Sequence, residues 1–337
     1  MLKHRRHLLG LAAAAPVSAL LSGRAFAQAQ AQAQAAAPLE RAVIYAGFAP
    51  GGTTDVTARR IAEKLQGPYA KTVQVENRTG AGGQIALTAL KTAPADGSTL
   101  IVTPMSMLGI YPHTYKKLPY DPVADFQPVS QAVQFDYAIA VGPAVPESVK
   151  APAEFVAWAK ANPAGQAFGS PAAGSGPHFL GELYGRAGGV SLRHIPYRGT
   201  QPAILDMLGG QVPSVCGPVG EFLPHLATGK VRILATSGAS RSRFTPNVPT
   251  FAEQGFRDLV LDEWFGIYVP GKTPMDIVNR LNAAVRAALA MPDVIAGLGQ
   301  MGLVPAPSSP TELAALLKRD TDRWGPLVKT IGFSADS

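Results

Sequence analysis

The chain has 337 residues, room for about two domains at roughly 150 residues each, and 47% of them are hydrophobic against 16% charged. That balance excludes a disordered chain, and Gly 35 with Pro 30 stays below the share that marks low-complexity sequence. The formal charge of +7 shrinks once Lys3, Arg5, Arg6 and Arg24 of an acid-free N-terminal segment are set aside: 26 basic residues then face 23 acidic ones, scattered without aromatic interleaving, which argues against nucleic acid as a partner.

Residues 1–27 have the order of an export signal. A basic stretch, Lys3-His4-Arg5-Arg6-His7, precedes an apolar run from Leu8 to Leu21, and Ala25-Phe26-Ala27 offers a cleavage site. The apolar run is too short to span a bilayer. Arg5-Arg6 leaves both a general secretory and a twin-arginine route open. The Ala/Gln repeat of 28–38 reads as a linker.

From residue 39 onward, short β-rich runs alternate with helical ones. Strands are expected at 43–48, 73–75, 99–103, 137–141, 212–216, 231–236 and 259–264. Helices are expected at 54–66, 152–161, 177–187 and 202–208, the first with Val56, Ala58, Ile61, Ala62 and Leu65 facing inward. Two late helices have legible starts. Thr273-Pro274 places a capping Thr before a Pro at the first helical position, and Ser309-Pro310-x-Glu312 has the capping-box spacing. The alternation implies an α/β fold of mostly parallel sheets wound by helices, in two lobes.

Several motifs fail on inspection. Gly266 to Thr273 matches a phosphate-loop pattern, but Ile267-Tyr268-Val269 is strand sequence and Pro274 leaves Lys272 outside the helix. Gly80-Ala-Gly82-Gly83 lacks the last glycine of a dinucleotide fingerprint. No nucleophile elbow is present, and His113, His178, His194 and His225 lack the spacing of a helical metal site. The lone Cys216 excludes an internal disulfide and a cysteine-based zinc site. No cofactor or metal is expected.

Two loops point to anion binding instead. In Ala49-Pro50-Gly51-Gly52-Thr53-Thr54-Asp55, two glycines and two hydroxyls sit where a strand becomes a helix. Ser175-Gly176-Pro177-His178 opens another helix, and a helix start offers unpaired N–H groups and partial positive charge to a carboxylate. Asp55 would cap the loop or bond a ligand hydroxyl or amine. A rival reading makes Ser175 a nucleophile with His178 as its base, in an exported hydrolase, but no nearby acid orients that base.

Phe48 to Arg59, Val75 to Gly83, Ala93-Pro-Ala-Asp-Gly97, Phe168 to His178, His194-Ile-Pro-Tyr-Arg-Gly199, Asp206 to Gln211, Gly229 to Ala235 and Asn247 to Gly255 together resemble the Bug family. Its members are periplasmic substrate-binding proteins of tripartite tricarboxylate transporters. The resemblance runs from about residue 40 to the end in unchanged order, with Pro213 standing where the family tends to carry Asp. It implies a two-lobed venus-flytrap binding protein, not an enzyme, acting as a monomer. A small organic acid would lie in the cleft, and membrane permease subunits would receive it. Lobe 1 would comprise 39–137 with 251–337 returning to it, and lobe 2 would comprise 138–250. By the matching motifs, Phe48, Pro50, Gly51, Gly52, Thr53 and Thr54 would serve from the first lobe. Ser170, Ser175, Gly176 and His178, with Tyr197 and Thr200, would serve from the second. A sensing role beside a membrane kinase would use the same fold.

Overall fold

The computed structural model describes residues 37–335; the export signal and most of the linker read from the sequence lie outside these residues. β1 (Leu39–Ala46) lies between β2 (Ala70–Asn77) and β3 (Thr99–Pro104), parallel to both. Parallel neighbours require a crossover, and α1 (Thr53–Leu65) and α2 (Gln84–Lys91) provide them. α1 buries Ala58, Ile61, Ala62 and Leu65 as expected, while Val56 is only half-buried. A π-turn at Ser106–Ile110 leads into α3 (Tyr111–Thr114).

The long strand β4 (Phe126–Val141) organises everything that follows. Its first part pairs antiparallel with β9 (Asp262–Pro270), from Phe126 opposite Pro270 to Asp136 opposite Asp262. Its last part, Tyr137–Val141, pairs antiparallel with β7 (Ser214–Pro218) and β8 (Arg232–Thr236). Beyond β7 lie β5 (Ala167–Ser170) and β6 (Arg193–Pro196), again parallel. The sheet order is β2-β1-β3-β9-β4-β7-β5-β6, with β8 and the short β10 (Val304–Pro305) also on β4. The outer strands are therefore parallel and wound by helices, as expected. The central strands β4 and β9 are antiparallel, because β9 returns from the far end of the chain to close the first set of strands.

On the second set pack α4 (Pro152–Ala161), α5 (Gly176–Gly188), α6 (Thr200–Leu208) and α7 (Val219–Leu226). α8 (Met275–Leu289), α9 (Pro292–Gly299) and α10 (Pro310–Ile331) complete the chain. The capping box of α10 forms as expected: Ser309 Oγ accepts from the Glu312 N–H at 3.2 Å, and Glu312 Oε2 accepts from the Ser309 N–H at 2.7 Å. The start of α8 differs from the expectation by one residue. Pro274 is its cap, and the Thr273 hydroxyl instead donates to the Pro270 carbonyl at 2.7 Å. Ile267-Tyr268-Val269 lies within β9 and Lys272 lies outside α8, so the phosphate-loop pattern has no loop to form.

Candidate functional site

The ends of β1, β3 and β7 and the start of β9 converge on one pocket of about 500 Å³, its mouth included. Phe48, Gly52, Thr53 and Thr54 line it from one side; Ser175, Thr200 and Gln201 line it from the other. Phe135, Tyr137 and Phe265 form an aromatic floor from β4 and β9. The loops meet closely at the rim: a Cβ on Gly199 would lie 3.3 Å from that of Ala49, and φ +139° there suits only glycine.

The start of α1 is built as the sequence suggested, with Gly52 as its cap residue. Gly51 takes φ +80°, and its N–H donates to Asp55 Oδ2 at 2.9 Å. Asp55 also accepts from Arg59 and Asn77, both at 2.9 Å. Burial pushes its carboxyl up, but the bonds from Arg59, the Gly51 N–H and Asn77 outweigh this and hold it below the ordinary range. Asp55 thus fixes the loop from behind. Neither it nor Pro50 nor Gly51 lines the pocket.

On the second side, Ser175 lines the pocket and its hydroxyl donates to the Ala172 carbonyl at 2.7 Å. The Gly176 N–H donates to Ser106 Oγ at 3.1 Å. His178 lies behind this loop, where Nδ1 accepts from the Gly174 N–H at 3.0 Å and the ring stacks on His194 at 3.9 Å. Burial lowers the His178 pKa to about 4; burial and the neighbouring His178 lower that of His194 to about 2. Both rings are therefore neutral near pH 7. Ser170 pairs with His194 Nε2 at 2.7 Å, and the Tyr197 hydroxyl donates to Asp206 at 2.8 Å. His178, Ser170, Gly176 and Tyr197 support the walls rather than line them. Because Ser175 and His178 hydrogen-bond to different backbone groups, no nucleophile–base pair forms between them.

Two residues that the sequence reading missed dominate the chemistry. Glu221, on α7, is 3% exposed, and Oε1 accepts from the Thr53 N–H at 3.1 Å and from its hydroxyl at 2.8 Å. Oε2 accepts from Gln201 at 3.2 Å, and the Thr200 hydroxyl also bonds the carboxylate. Glu263, on β9, is 2% exposed and accepts from Ser106 at 2.6 Å, from the Tyr137 hydroxyl and from the Trp264 N–H at 3.1 Å. Burial pushes both carboxyls above the ordinary range, Glu263 to about 7, against donors that favour the ionised form. The signal was an acid within or heading an apolar run: Val219-Gly-Glu-Phe-Leu, and Glu263-Trp-Phe-Gly-Ile directly after Asp262. A buried acid in such a run needs dedicated partners, and a ligand pocket provides room for them.

The sequence model described as "Tripartite tricarboxylate transporter family receptor" matches residues 57–333. The chain belongs to this receptor family. Protein BugT of Bordetella pertussis is 33% identical over 287 residues, covering 85% of this chain and 87% of that protein. Among solved structures, the periplasmic binding protein BugD is 29% identical with a TM-score of 0.83, over 88% of this chain and 99% of that one. MatC of Rhodopseudomonas palustris, solved with bound malate, is 30% identical with a TM-score of 0.79, over 87% of this chain and 100% of that one. The receptor is accordingly a solute-binding protein of the two-lobed periplasmic type. The expected resemblance and fold class are both met.

Proposed function

We propose that this receptor is exported, works in the periplasm as a monomer and captures a small organic acid for the permease subunits of a tripartite transporter. The observation that carries the reading is one pocket that gathers the starts of α1, α5 and α6 from distant parts of the chain. Each start leaves N–H groups without an intrahelical acceptor, the donors that a carboxylate needs. The malate bound to MatC supports the same class of solute. Phe48, Gly52, Thr53, Thr54, Ser175 and Thr200 contact the solute in this reading. Pro50, Gly51, Asp55, Ser170, Gly176, His178 and Tyr197 shape the loops that hold them. The lobes divide on β4, with 39–137 and 251–337 in one and 138–250 in the other; the switch of strand partners between Asp136 and Tyr137 supports that boundary.

A thermal-shift screen against organic acids, followed by calorimetry on the hits, tests the reading. A solute at 100 times its Kd adds about 2.7 kcal/mol of stability. Stabilisation by neutral solutes alone, with every acid inert, would overturn it. Cleavage near Ala27 is checked by N-terminal sequencing of the exported protein, which should begin near Gln28.

A further inference from the structure

The pocket wall carries two nearly fully buried carboxylates, Glu221 and Glu263, and among the described residues no Lys, Arg or His lines it. More telling is where those carboxylates sit. Glu221 reaches 168 residues back to take the first N–H of α1, the donor that a ligand carboxylate would otherwise use. Glu263 reaches the start of α5 through Ser106, whose hydroxyl accepts from the Gly176 N–H and donates to Glu263 Oε2. The first N–H of each helix is thus already bonded within this chain, to Glu221 at α1 and to Ser106 at α5. A plain diacid entering the pocket meets two buried acids that repel it whenever they are ionised, Glu263 above about pH 7, and no cationic side chain among the described lining residues offsets them. An ammonium or N–H group meets attraction from both. Glu263 moreover holds three donors on a group with about four acceptor positions.

We propose that Glu221 and Glu263 set the solute class of this pocket: the receptor selects an acid that also carries an ammonium or other N–H donor group, an amino acid or a related aminated acid, over plain di- and tricarboxylates. This rests on the organic-acid reading above and narrows it. The carboxylate of such a solute has Thr54 and the Ser175 side of the pocket available to it. Its cationic group lies toward the two glutamates.

The test uses solutes that differ by one amino group: succinate against aspartate, and glutarate against glutamate, with a diamine, putrescine, as the probe lacking any carboxylate. Calorimetry on the wild-type protein, Glu221→Gln and Glu263→Gln reads the affinity ratio within each pair. The wild type is expected to bind the aminated member at least tenfold more tightly, and each Gln variant to lower that ratio. A merely structural role for the glutamates would lower Tm and weaken both members of a pair equally, leaving the ratio fixed; that result overturns the proposal. Equal or tighter binding of the plain diacid by the wild type overturns it too, needs no variant, and leaves the organic-acid reading standing. Binding of putrescine with every acid inert, aspartate and glutamate included, overturns both the organic-acid reading and the proposal that rests on it.

Discussion

The starts of α1 and α5 face one pocket, yet they are completed differently. At α1 a carboxylate lies directly on the helix: Glu221 bonds both the N–H and the hydroxyl of Thr53, and a Cβ on Gly52 would meet its oxygens at 3.4 and 3.6 Å. At α5 a hydroxyl stands between helix and acid, since the Gly176 N–H reaches Ser106 and Ser106 in turn reaches Glu263. A direct carboxylate gives a strong, charge-assisted bond and leaves that N–H no further use. A hydroxyl relay leaves the acid in the pocket wall, beside Tyr137, where burial pushes it up to about 7. The contrast shows one helix start closed by its partner acid and the other tuned by it.

The largest effect that separates the two should be steric. A Cβ on Gly176 would run into the Tyr137 hydroxyl and ring, whereas on Gly52 it would make only near-normal contacts. Gly176→Ala should cost about 3 kcal/mol by urea unfolding, in the upper range for overpacking, and Gly52→Ala less than about 1 kcal/mol. Next come the polar partners. Glu221→Ala strands the Thr53 N–H and Gln201 in a buried wall and should cost about 2 kcal/mol, against about 1 kcal/mol for Ser106→Ala at the relay. Equal costs would mean that the two starts are held alike.

A pH series sharpens the contrast further. Glu263 holds its proton in the folded protein up to about 7 but releases it near 4.5 when unfolded. Its contribution is therefore complete below 4.5 and is lost as pH rises through 7, so Glu263→Gln should remove that decline. His178 works in the opposite direction: with a folded value of about 4 against 6.5, it stabilises above 6.5 and loses this as pH falls toward 4. Melting temperatures from pH 4 to 8 in wild type and Glu263→Gln read both arms. The smallest effect belongs to Lys272, outside both helix starts, where Lys272→Ala should stay within about 0.5 kcal/mol and leave solute affinity unchanged.

What the sequence disclosed was local. The turn of Gly51-Gly52, the helix that follows and the Ser309 capping box all depend on residues within a few positions of one another, and each stands where its pattern placed it. Thr273 shows the limit, because Pro274 and the carbonyl of Pro270 moved the cap by one residue. The sixteen residues of β4 were visible only at 137–141, since the earlier part takes its strand form from β9, more than 120 residues later. The pocket acids were hidden for the same reason. Glu221 looks like an ordinary helix acid until the fold brings Thr53 to it, and Glu263 looks like a strand-edge acid until Ser106 and Tyr137 arrive.

The shared strand β4 also dictates the order in which the chain can become a protein. Its first part has no neighbour on the β9 side until residues 262–270 exist, and closing that loop is entropically costly. The first set of strands is incomplete until those residues are made, whereas β5 to β8 of the second set are all present by residue 236. Contacts this distant in sequence slow folding and prolong the time a nascent chain spends with open strand edges. A chain whose central pairing waits for residues 262–270 keeps the edge of β3 and the first part of β4 open until most of it has been synthesised.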